Sequence, residues 1–152
     1  MGGPLPADIP VLADSVQGNM RKNHMADSAQ TVYEQIGENG FRRLIDGFFR
    51  RVADDPVLRP MYPEGDLAPA ARRLRLFLVQ FFGGPGTYGE ERGHPRLRMR
   101  HAPFPIDRVA RDVWVGHMLA ALDEAAIPEP ARSTMQAYFE RTATHMINVM
   151  RL

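Results

Sequence analysis

The sequence predicts an all-α domain, and three observations lead there. Apolar residues return at three- and four-residue intervals along most of the chain after Ser28. Breakers separate these stripes at Asp55-Pro56, Tyr62-Pro63, Gly83-Gly84-Pro85-Gly86, Phe104-Pro105 and Ile127-Pro128. No segment shows the strict apolar/polar alternation of a half-buried strand.

Residues 1–24 mix three prolines with polar residues and keep no period, and they carry Lys22, after which the chain uses arginine alone. Residues 1–27 are therefore expected to be a disordered or loosely packed leader, with Met25 as a natural start, and 28–152 the folded domain. The first stripe is Phe41, Leu44, Ile45, Phe48, Phe49 and Val52; the second is Leu67, Ala70, Leu74, Phe77, Leu78 and Phe81. The third is Ala110, Trp114, His117, Met118, Ala121 and Leu122. The fourth, Met135, Tyr138, Phe139, Thr142, Met146 and Val149, predicts a last helix running to Val149. Between the second and third lies a long stretch, 83–105, punctuated by Gly and Pro and dense in arginine. A segment of that kind inside a compact domain is usually functional.

Composition narrows the chemistry. The chain has 152 residues, enough for one domain with an ordinary core. Nineteen basic residues against eighteen acidic ones leave a net charge of +1, which gives no general reason to expect a nucleic acid or a membrane surface as partner. There is no cysteine, so disulfides, zinc–thiolate sites, iron–sulfur clusters and thiol nucleophiles are excluded. No apolar run reaches the roughly 18–20 residues that span a bilayer, and the N-terminus lacks a secretory pattern. A cytoplasmic location is expected.

Gly84-Pro85-Gly86-Thr87-Tyr88-Gly89 spells G-x-G-x-x-G, but the dinucleotide fingerprint needs a strand before it, and here an amphipathic helix precedes. Arg92, Arg96, Arg98 and Arg100 admit three readings: a solvated basic stretch, a nucleic-acid contact, or a collar for the acid groups of a buried ligand. Five histidines are present. His24 lies in the leader, His94-Pro95 reads as a loop or cap, and His117 and His145 fall inside helices. His101 ends a short helical pattern with Leu97 and Met99, ahead of Ala-Pro-Phe-Pro. An imidazole there is either a core histidine or a ligand for haem iron. None has H-E-x-x-H spacing. Trp114, the single tryptophan, is either a core filler or a donor whose N–H serves a bound ligand.

The run Gly83-Gly84-Pro85-Gly86-Thr87-Tyr88, continued by Arg92-Gly93-His94-Pro95-Arg96-Leu97-Arg98-Met99-Arg100-His101-Ala102-Pro103-Phe104, strongly resembles the group II truncated haemoglobins. Pro56-Val57-Leu58-Arg59-Pro60-Met61-Tyr62-Pro63 and Trp114 resemble that family too, and the likeness spans about Val32 to Asn148. The resemblance implies a truncated globin fold, a two-over-two helical sandwich around haem b, with His101 as proximal ligand to the iron. It places Arg100, Arg73 and Tyr88 at the haem propionates and makes Phe77, Met99, Phe104 and Met118 apolar walls. It builds the distal pocket from Phe49, Tyr62, Ala70, Leu74 and Trp114.

The chain departs from the family at Phe49, where the family usually has a tyrosine whose hydroxyl points at the bound ligand. That leaves Tyr62 and Trp114 as distal donors. The implied function is reversible binding of dioxygen, nitric oxide or other small gaseous ligands, with nitric oxide dioxygenase or peroxidase-like activity permitted. A reductase partner is unidentified, and a monomer or homodimer is expected. The alternative from another class is a haem-free helical interaction or nucleic-acid-binding domain that uses the Arg-rich segment 92–100.

Overall fold

The computed structural model describes residues 30–63 and 65–149, with the side chains of Leu97 and Arg98 outside that description. The expected leader, 1–27, lies outside the described residues. Six α-helices and no strand occur among the described residues: α1 (Val32–Ala53), α2 (Ala68–Phe81), α3 (Thr87–Arg92), α4 (Leu97–His101), α5 (Arg108–Glu124) and α6 (Ala131–His145). A single 3-10 turn, Arg59–Met61, stands between α1 and α2.

The start of α1 is fixed by a reciprocal cap. Thr31 Oγ1 accepts from the Glu34 amide at 3.0 Å, and Glu34 Oε1 accepts from the Thr31 amide at 2.8 Å. Gly37 interrupts the helix with φ 65°, so the apolar stripe proper begins at Gly40 and Phe41. The same Thr31 side chain packs on Gly83, where φ is +103° and a Cβ would sit 2.7 Å from Thr31 Cβ. Only glycine fits both constraints. The Tyr33 amide donates to the Phe82 carbonyl at 3.0 Å, so the cap also docks the end of α2. Thr31→Ala should therefore lower stability by about 1 kcal/mol. Urea unfolding checks this: the midpoint should fall while the slope stays unchanged.

Helix α1 packs on both α2 and α5, and α5 packs on α6, which gives two layers of paired helices. Their apolar faces meet in one core that includes Phe41, Leu44, Phe48, Leu74, Phe77, Met118, Leu122, Tyr138 and Phe139. Asp66 Oδ1 accepts from the Ala68 amide to open α2, and Asp107 Oδ1 accepts from the Ala110 amide to open α5, each at 2.9 Å.

The short helical pattern expected up to His101 is present as α4, and the 83–105 stretch holds a further short helix, α3. One expectation changes. The last helix stops at His145 rather than Val149. The Asn148 and Val149 amides instead donate to the Ile106 carbonyl at 2.9 and 3.1 Å, which pulls the chain off the helical path. Met146 remains in the core as the helix cap.

Candidate functional site

Helix α4 is only five residues long and starts from Arg96 in the left-handed region, φ 47°, without a side-chain cap. Its last residue is His101, which exposes 1% of its surface and has its Nε2 buried. The carbonyl of His101 accepts from the Phe104 amide at 2.9 Å and from Asn148 Nδ2 at 3.3 Å. Among the described residues, His101 and Thr142 are the buried members of the polar and charged classes. Full burial is uncommon for so polar a side chain, which makes His101 a candidate for a chemical role.

The expected distal residues are brought together by ring contacts. Phe49 meets Tyr62 edge-on with centroids 5.5 Å apart, and Phe48 meets Phe49 at 5.1 Å and Trp114 at 5.4 Å. Phe48, counted in the sequence only as one member of a stripe, is the ring that joins Phe49 to Trp114. Ala70 and Leu74 are buried one turn apart on α2, at 1% and 0% exposure. Trp114 is buried on α5, and its Nε1 is enclosed without any hydrogen-bond acceptor. A buried donor left unsatisfied costs about 1–3 kcal/mol. An acceptor supplied by a guest removes that cost.

The residues expected as walls and propionate contacts divide. Phe77 is fully buried and meets the Tyr88 ring edge-on at 5.4 Å. Met118 is fully buried one turn beyond Trp114, and Phe104 is half-buried against the core. Arg73 and Arg100 are half-buried, and the Arg92 guanidinium carbon lies 6.0 Å from the Tyr88 ring centre. Met99 is 63% exposed. Two residues before His101 on a helix it points about 200° away, so the two side chains leave on nearly opposite sides.

The arginine-rich stretch is partly committed to internal partners. Glu91 takes Arg72 in a two-pronged pair at 2.7 and 2.8 Å, and this holds the Glu91 carboxyl below its ordinary range. His94 Nδ1 accepts from the Arg96 amide, as a loop residue does. Among the described residues no group of three or more His, Asp or Glu side chains stands ready for a bare metal ion, and no helix is long and apolar enough to cross a membrane.

A further histidine, His117, forms a separate network. Its Nε2 lies 2.7 Å from Asp55 Oδ2, while Asp55 Oδ1 accepts from the Val57 and Leu58 amides. Burial alone would raise the Asp55 carboxyl, but these hydrogen bonds outweigh it and hold the group below its ordinary range. Asp55 thereby shapes the turn that leads to Tyr62, a link the sequence does not signal.

The site can be tested against a haem on its own residues. A buried imidazole to hold the metal, aromatic and aliphatic walls, an enclosed indole donor lacking an acceptor and half-buried arginines for acid groups fit that cofactor.

Comparison with known proteins agrees. Residues 31–148 match the family of bacterial-like globins. The chain is 43% identical to the group 2 truncated haemoglobin YjbI of Bacillus subtilis over 124 residues, which covers 82% of this chain and 93% of that one. A haemoglobin structure from the thermophilic phototroph Chloroflexus aurantiacus superposes with a TM-score of 0.77 at 59% identity, covering 80% of this chain and all of that one. The thermostable haemoglobin of Thermobifida fusca gives 0.76 at 54%, covering 79% and 98%. With fold, motif and sequence in agreement, this chain belongs to the bacterial-like globins, within their group II truncated haemoglobins.

Proposed function

We propose that this protein binds haem b through His101 and takes up dioxygen reversibly, with nitric oxide and other small neutral gases as further ligands. One observation carries the reading: the imidazole of His101 is 1% exposed at the end of a short helix in a globin chain. The bound haem would supply the iron at which the gas is taken up and released. His101 would hold that metal from the proximal side. Phe49, Ala70 and Leu74 would keep the opposite side apolar, which suits an uncharged diatomic and excludes water. Trp114 Nε1 and the Tyr62 hydroxyl would donate to the guest, and Arg73, Arg100 and Tyr88 would meet the propionates. A relative from Bacillus subtilis is described as an oxygen-avid truncated haemoglobin, which supports the choice of gas. Nitric oxide oxidation and peroxide turnover would use the same donors and need an electron supply; oxygen binding needs only the residues named.

Titration of the cofactor-free protein with haem tests the proposal. An intense Soret band should grow to a sharp endpoint at one haem per chain. The reduced form should then switch spectrum reversibly between air and vacuum. A titration that shows no saturation would overturn the reading.

A further inference from the structure

The five residues of α4 are too few to hold a side chain in place unaided, because a single helical turn is marginal in water. Something outside the helix must fix His101. The segment that follows α6 returns to the turn after α4 and meets it with the side-chain amide and the backbone N–H of one asparagine. Asn148 Oδ1 accepts from the Ile106 amide at 2.8 Å. Its Nδ2 donates to the Phe104 carbonyl at 2.9 Å and to the His101 carbonyl at 3.3 Å. Its own amide donates to the Ile106 carbonyl at 2.9 Å. A side-chain amide offers one acceptor and two donors, and here both ends are engaged on the three backbone groups of one turn.

We infer that Asn148 is a positioning residue for His101, a clamp that sets how the imidazole is presented to the metal. This rests on the reading of His101 as proximal ligand. The mechanism is the one by which outer partners orient metal ligands generally, except that the partner grips the ligand's main chain rather than its ring. The choice of asparagine follows from the chemistry. Aspartate has nearly the same shape and keeps the acceptor for the Ile106 amide, but it has no donor for the His101 and Phe104 carbonyls and would set a negative charge against them. A residue that only docked the C-terminal segment would tolerate that change.

Asn148→Asp and Asn148→Ala, made in the full chain, test this. Two readouts apply: the nitrogen signals of the labelled His101 ring in the cofactor-free protein, and, after haem loading, the iron–histidine stretch of the reduced form together with the rate of haem transfer to an excess of apomyoglobin. Both variants should move the His101 signals and the stretch and speed haem loss about five- to tenfold, the size of about one net hydrogen bond lost from the main chain that carries the ligand. Aspartate should behave like alanine even where its melting temperature matches the parent. If alanine fails to fold, aspartate decides alone. The clamp is overturned if aspartate leaves the stretch, the His101 signals and haem loss unchanged. If neither parent nor variant takes up haem but the His101 signals still move, the clamp stands and the haem reading falls.

Discussion

Replacing His101 with alanine should abolish stable haem retention. The loss of a mere supporting partner costs about 10–100-fold in metal affinity, so removal of the ligand itself should speed haem release by at least about 100-fold. The change also takes out a 1%-exposed side chain, so far-ultraviolet circular dichroism must show that the helices persist. With the helices intact, the Soret band should weaken and shift, and haem should pass quickly to apomyoglobin. A pigment with parental spectrum and retention would remove His101 from the metal.

The second large effect is expected at Trp114. Its indole Nε1 is buried with no acceptor in the protein, and the buried Phe49 beside it in the cluster brings no donor of its own. A hydrogen bond to a partly charged guest is worth about 1.5–3 kcal/mol, so Trp114→Phe should speed oxygen release roughly ten- to a hundredfold. Phenylalanine keeps an aromatic ring for the edge contacts to Phe48 at 5.4 Å and Phe139 at 5.7 Å, so much of the packing is retained. Stopped-flow release of oxygen from the reduced, loaded protein measures the effect. A change under about twofold would give the stabilising role to Tyr62 instead.

Much of this was legible in the sequence, for reasons that can be named. Helices α1, α2, α5 and α6 bury wide apolar stripes, so their periodicity survives in the one-dimensional record. The glycine pattern at 84–89 could be set aside because a helix, not a strand, precedes it, and α2 is that helix. His101 and Trp114 were visible as candidates by residue type, but their standing among five histidines and many apolar residues came from a resemblance that included loops.

What escaped was decided by contacts distant in sequence. Nothing between Ser133 and Val149 is a breaker, so the apolar spacing continued past His145; the stop comes from Ile106, which captures the next amides. The roles of Asn148, and of His117 acting on Asp55, depend on partners 42 to 62 residues away.

The clamp on His101 reaches back 47 residues, and that separation orders assembly. A contact so distant forms only after the intervening chain has been gathered, since loop closure costs entropy that nearby pairings must first offset. Helices α5 and α6 therefore have to pair before the amide of Asn148 can arrive at the turn. Until then the imidazole rides on one unsupported helical turn. Fixing the direction of the imidazole would therefore fall among the later steps of assembly, after the helices that bring Asn148 to the turn have packed.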